Sequence, residues 1–261
     1  MRGAYTAGVL ETLAETGHRF DALYGTSAGG AACAWYAAGQ LDAFRRSWAY
    51  ARDPAIMNVR RWVTRRGPLL DMARLYYQVY PNELGFDIDK VRRSNVPVVV
   101  TASDVATART HFLDLRKVPV LRALHATSAL PFATDGAVRI GAHEYLDGGL
   151  TAPLPMWRAI MDGHRELVVV LNKFGPERRA EPLPLSWYFG RCYPRLAEAG
   201  RHHHSIINDA VRLAEAPPDG IEVTLVRPSR DHGLSRLSRD ESRIGRAMDL
   251  GRADAHRVLA A

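Results

Sequence analysis

The stretch FDALYGTSAGGAACAWYAAG, residues 20–39, contains a single serine, Ser27, framed as Gly25-Thr26-Ser27-Ala28-Gly29. A G-x-S-x-G spacing is what a nucleophilic serine needs when it stands on a sharp turn between a strand and a helix. The turn is so tight that its flanking positions tolerate little but glycine. The helix that starts directly after the serine adds positive potential and N–H groups, which suit a developing oxyanion. A phosphate-binding loop would carry a lysine after its glycines, and a dinucleotide loop would read G-x-G-x-x-G; neither is present. The plain alternative is a helix packed on a sheet through small residues, with no chemistry.

A serine nucleophile needs a base. In the order Ser, Asp/Glu, His the base would be a late histidine. His164, His202, His203, His204, His232 and His256 are available, but none stands in an evident loop after a buried strand. The run RHHHS at 201–205 resembles a metal-binding tract. Successive helical residues do not share a face, however, so no metal site is expected there, and no cofactor is called for elsewhere. Asp147 fits better as a base. The segment YLDGG puts this carboxylate at a strand end, and Gly148 and Gly149 allow another backbone to come close. A partly desolvated carboxylate touching the hydroxyl directly is suited to take its proton. Taken alone, an aspartate in D-G-G reads first as a turn.

These residues require strands and helices in alternation to position them. GAYTAGVLETLAETG reads as a helix with Val9, Leu10 and Leu13 on one face and Gly17 at its stop. FDALYG reads as a strand and SAGGAACAWYAAG as the helix after the serine. VPVVVTA, residues 96–102, has the continuous apolar character of a buried parallel strand. VPVLRALHATSALP reads as a helix ended before Pro131. PLPMWRAIMDG is a further helix, ELVVVLN and IEVTLVRP are later strands, and SRDE at 238–241 is a capping box opening the last helix. The fold class is therefore α/β with a largely parallel sheet. No internal repeat or low-complexity linker divides the chain.

The 261 residues suit one large domain or two small ones, with 47% hydrophobic and 24% charged residues. The net charge of +7 is carried almost wholly by arginine and spread without a long basic block, which gives no sign of a nucleic-acid partner. Cys33 and Cys192 cannot build a disulfide framework, consistent with a reducing compartment. Neither a membrane span nor a signal peptide is evident, so the expected setting is cytoplasmic, with visits to a membrane surface possible. The segment 59–80 mixes Arg60, Arg61, Arg65 and Arg66 with Trp62, Tyr76 and Tyr77, a composition able to seat anionic headgroups at an interface.

Taken together, GTSAG and the downstream DGG resemble the bacterial patatin-like phospholipases, which pair the serine with an aspartate and use no histidine. The block LRALHATSALPFATDGAVRIGAHEYLDGGLTAPLP is similar to the family's stretch around the aspartate, including Ser128, Pro131, Tyr145 and Pro155. MRGAYTAGVLETL resembles the helix after the family's glycine-rich oxyanion loop, and RHHHSIINDAVRLAEAPPDG resembles the C-terminal part of one bacterial subgroup. The resemblance implies one three-layer α/β/α domain over residues 1–261, with roughly 175–261 packed on it as a subgroup-specific part. It also implies hydrolysis of carboxylic esters, often in lipids. Ser27 would then be the nucleophile and Asp147 the base, with Gly25, Thr26, Ala28 and Gly29 shaping the elbow and Gly148 and Gly149 the aspartate motif. Arg2 and Gly3 would remain from the oxyanion loop. The family's glycines and first strand would precede Met1, so an upstream start and a strand-wide gap beside the Ser27 strand are expected. The competing readings are a small-ester or thioester hydrolase on the same site, and a silent relative that binds acyl chains or a partner protein.

Overall fold

The computed structural model describes residues 1–175, 183–235 and 237–259. Among the described residues, seven strands form two sheets: β1 (Leu23–Gly25), β2 (Val98–Asp104), β3 (Thr110–Asp114), β4 (Val138–Ile140), β5 (His143–Asp147), β6 (Glu166–Val170) and β7 (Glu222–Val226). The helices that matter for the site are α1 (Ala4–Glu15), α2 (Ala28–Ala37), α3 (Val120–Thr127), α4 (His203–Glu215) and α5 (Glu241–Leu259). The result is a sheet flanked by helices, the α/β arrangement that the alternating pattern predicts.

Strand direction follows connection length. β1 pairs β2 in parallel, and β6 pairs β7 in parallel, each through a connection long enough to cross over. β2–β3, β2–β5 and β4–β5 are antiparallel, so the sheet is mixed rather than largely parallel. The reason is local. Only residues 105–109 link β2 to β3, and Gly141-Ala142 link β4 to β5, with Gly141 at φ 59°. Such short links can only make hairpins. Neither β3 nor β4 stands out as an apolar run, and both are absent from the reading of the sequence above.

β2 is the axis of the larger sheet. β3 occupies one edge of it along Val99–Ser103. β1 and β5 must therefore share the other edge, β1 beside Val98–Val100 and β5 beside Ala102–Asp104. Since β1 runs with β2 and β5 against it, their C-terminal ends point at one another across Thr101. That topology brings together two residues far apart in the chain. On its other edge β1 has no strand partner among the described residues, and β6–β7 stands as a separate pair.

The main core is one cluster that runs from Ala4 to Ala255. α1 is buried at every position from Ala4 to Leu13, not only along the Val9–Leu10–Leu13 face, because α5 covers the side a surface helix would show to water. Tyr5 donates its hydroxyl hydrogen to Asp254 Oδ2 at 3.1 Å, and Glu11 accepts from both Arg45 and Arg252. α5 starts at Glu241, with Asp240 Oδ1 accepting the Arg243 N–H at 3.0 Å. Asp240 is thus the cap, and Ser238 instead accepts from Ser235 N–H. No described helix is long and apolar enough to cross a membrane.

His125 on α3 is buried, with Nδ1 3.1 Å from the Tyr77 hydroxyl, and burial pushes its pKa down from 6.5 to about 4. The neutral ring is the form the fold favours. Its contribution is present above pH 6.5 and is lost as pH falls from 6.5 towards 4. We expect unfolding free energy to fall by ~2–3 kcal/mol over that window from this group. His125→Gln should flatten that slope in denaturant titrations at stepped pH; an unchanged slope would assign it to other groups.

Candidate active site

β1 ends at Gly25, α2 begins at Ala28, and the turn between them holds Ser27 at φ 56°, ψ −124°. A non-glycine residue in this region stores about 1–3 kcal/mol, and it persists only where its surroundings hold it. Here they do. The Ser27 N–H donates to Thr127 Oγ1 at 2.8 Å, and Thr26 Oγ1 bonds Thr101 Oγ1 at 2.7 Å and donates to the Ala152 carbonyl at 2.8 Å. Gly25 is required by close approach: a Cβ there would lie 2.5 Å from the Gly29 carbonyl carbon. The motif's two glycines therefore serve one turn, one by leaving room for the other's backbone.

Asp147 closes β5 opposite Ala102 and is almost fully buried. Its Oδ1 accepts the Gly149 N–H at 2.7 Å, and its Oδ2 accepts the Ser27 hydroxyl hydrogen at 2.7 Å. The first bond leaves the second oxygen aimed at the serine. Gly148 passes so close to β2 that a Cβ would fall 2.1 Å from Thr101 Oγ1. The D-G-G turn and the serine–carboxylate contact are therefore one structure, not alternatives.

Ser27 and Asp147 open into a cavity of about 690 Å³, in the range of small-molecule sites. Arg2, Gly3, Thr26, Ala28, Gly29 and Gly149 line it beside the pair. The Ala28 amide, as the first of α2, has no helical acceptor by position, and α2's N-terminus directs positive potential at Ser27. Gly3 sits against this helix start: a Cβ on it would be 2.9 Å from that of Ala28. The rest of the wall is mostly apolar and includes Trp48, Ile56, Leu70, Leu75, Leu130, Phe132 and Leu154. Ile207 and Val211 on α4 also line it, from a segment whose spacing carries no chemical signal. Thr101 and Thr127, which steady the elbow, likewise have no sequence signature.

Of the six late histidines, His203 alone lines the cavity. His232 bonds the Asn172 carbonyl, and His164 packs edge-on to Tyr24. The arginine–aromatic segment divides in two. Val59, Trp62, Val63 and Tyr77 are exposed, with Arg60, Arg65 and Arg66 among them. Tyr76 is instead core, bonded to Ser128 Oγ at 2.8 Å, and Arg61 is held by the Pro68 carbonyl and Asp71. Trp62 donates its indole N–H to the carbonyl of Phe132, a cavity residue, so the exposed patch adjoins the cavity rim.

The fold and site define an α/β protein with a serine–aspartate pair on a strand–turn–helix elbow. The model of the patatin-like phospholipase family matches residues 1–160, and the chain belongs to that family. Residues 193–261 match a second family model, a domain of unknown function designated DUF6363. The chain is 25% identical over 251 residues to the uncharacterized protein YjjU of Escherichia coli strain K12, covering 91% of this chain and 69% of that protein.

Proposed function

We propose that the protein hydrolyses carboxylic esters of lipids through an acyl-enzyme on Ser27, with Asp147 as the base. The observation that carries this reading is the 2.7 Å contact from Ser27 Oγ to Asp147 Oδ2 at the floor of an apolar cavity. Asp147 takes the hydroxyl proton as Oγ attacks the ester carbonyl. The oxyanion forms beside the α2 N-terminus, where the Ala28 N–H is a donor and the Arg2–Gly3 backbone stands opposite. Each such donor is typically worth ~10²–10³ in turnover. Asp147 returns the proton to the leaving alcohol, then draws one from the water that attacks the acyl carbonyl and passes it to Ser27 Oγ as the C–Oγ bond breaks and the acid leaves. A fluorophosphonate probe should label one site per chain, at Ser27, as read by intact mass and peptide mapping. A folded chain that resists the probe would leave the silent, acyl-binding reading in its place.

The size and character of the cavity favour long acyl chains over short soluble esters. Burying each methylene contributes about 0.8 kcal/mol, so kcat/KM should rise roughly tenfold for every two methylenes until the cavity is filled. Trp62, Val63 and the arginines around them supply an interfacial contact, which is peripheral. Anionic vesicles should raise activity on long-chain esters, and salt should reduce that gain. A flat chain-length profile with no vesicle effect would favour a small-ester or thioester substrate.

A further inference from the structure

A second cluster of chemistry-bearing side chains lies apart from the serine. Strand register explains it. Ala102 and Asp104 alternate onto one face of β2; His111 of β3 is opposite Ala102, and Tyr145 of β5 is opposite Asp104. His143 is two residues before Tyr145 and so shares its face. The donor atoms of Asp104, His111 and His143 all lie within 4.8 Å of one another. We propose that these three side chains bind a divalent transition-metal ion, with Zn²⁺ the best match.

The geometry and donor set both fit. Asp104 Oδ2 is 2.7 Å from His143 Nδ1 and 3.9 Å from His111 Nε2. Tetrahedral zinc with bonds of 2.0–2.2 Å holds its ligands roughly 3.3 Å apart, a value between those two separations. The third pair of donors, on His111 and His143, lies within 4.8 Å, so side-chain shifts of about an ångström make room for the ion. The remaining atoms of two of the ligands are already fixed. Asp104 Oδ1 accepts from Thr107 N–H and Oγ1–H at 2.7 and 2.8 Å, which turns Oδ2 towards the histidines. His111 Nδ1 lies 2.9 Å from the Tyr145 hydroxyl. Holding the outer nitrogen in this way orients a ligating ring and frees Nε2 for the metal. One carboxylate and two imidazoles suit zinc and its first-row neighbours rather than magnesium or calcium. Asp104 is fully buried, whereas the His143 side chain is 49% exposed, so water has access to the fourth position. The ion would tie β2, β3 and β5 together, with its β5 ligand His143 four residues before Asp147.

The test uses the full chain, stripped with EDTA and titrated with ZnCl₂ by calorimetry and with CoCl₂ by absorption. We expect one equivalent per chain, a Co²⁺ spectrum of nitrogen and oxygen ligands without a thiolate band, and a Tm that rises with Zn²⁺. His111→Ala/His143→Ala should weaken binding at least about 100-fold, and Tyr145→Phe about tenfold. His202→Ala/His204→Ala should bind as the parent does. His143→Gln, at an exposed position, gives the same reading if the double variant fails to fold. Fluorophosphonate labelling is followed in parallel, so that this site and the serine reading fail separately. No stoichiometric uptake by the folded parent, binding unchanged in the Asp104-cluster variants, loss in the His202/His204 variant, or a thiolate band would each overturn the proposal.

Discussion

Ser27→Ala is expected to abolish fluorophosphonate labelling and to lower ester turnover by at least about 10⁴-fold, with the fold retained. The hydroxyl is the only group of the proposed chemistry that this substitution removes; the Ser27 N–H bond to Thr127 and the α2 N-terminus stay. The backbone supplies a second, independent readout. At φ 56° alanine is as strained as serine, whereas glycine is at ease. Ser27→Gly should therefore be equally inactive, yet more stable than Ser27→Ala by ~1 kcal/mol in urea titration. Residual turnover near the parental rate in either variant would remove Ser27 from the chemistry.

Asp147→Asn should lower kcat by ~10³–10⁴ and leave KM much closer to the parental value. The hydrogen-bond pattern gives the reason. Asp147 Oδ1 already accepts the Gly149 N–H, so an asparagine would keep its carbonyl oxygen there and turn its amide NH₂ to Ser27. Ser27 Oγ, which now donates to a carboxylate, would then face a donor. The base is lost with almost no change of shape, and the Thr101 passage beside Gly148 is undisturbed. His203→Ala is the matching control, since His203 is the late histidine that lines the cavity. It should retain activity within a few-fold. A folded His203 variant as inactive as Ser27→Ala would sink the pair and restore a histidine-based triad.

The elements nearest the chemistry were the most legible. A helix stopped at Gly17, apolar runs at β2, β6 and β7, and the strand–turn–helix around Ser27 carry local signals that no neighbour needs to supply. β3 and β4 were not legible. THFLD and VRI are short and half-polar, and they become strands because β2 and β5 offer open edges to them. Their hairpins then made the sheet mixed. Tyr76 illustrates the same limit: its composition-level partners were surface arginines, but its hydroxyl found Ser128 in the core.

Residue type and spacing singled out Ser27, because a tight turn selects glycine and small residues at fixed offsets, and such offsets survive in a linear text. They offered Asp147 only as a candidate, since D-G-G alone reads first as a turn, and the family resemblance joined the two. What lies between them was decided by tertiary structure. Nothing in the order of residues says that β1 and β5 meet end to end on one edge of β2, that α4 lends Ile207 and Val211 to the cavity, or that Asp104, His111 and His143 converge on one face. Those are contacts between segments distant in the chain. The strand contacts depend on which edges pair and in which register, and a one-residue slip of its strand would send Asp104, His111 or His143 to the opposite face of the sheet.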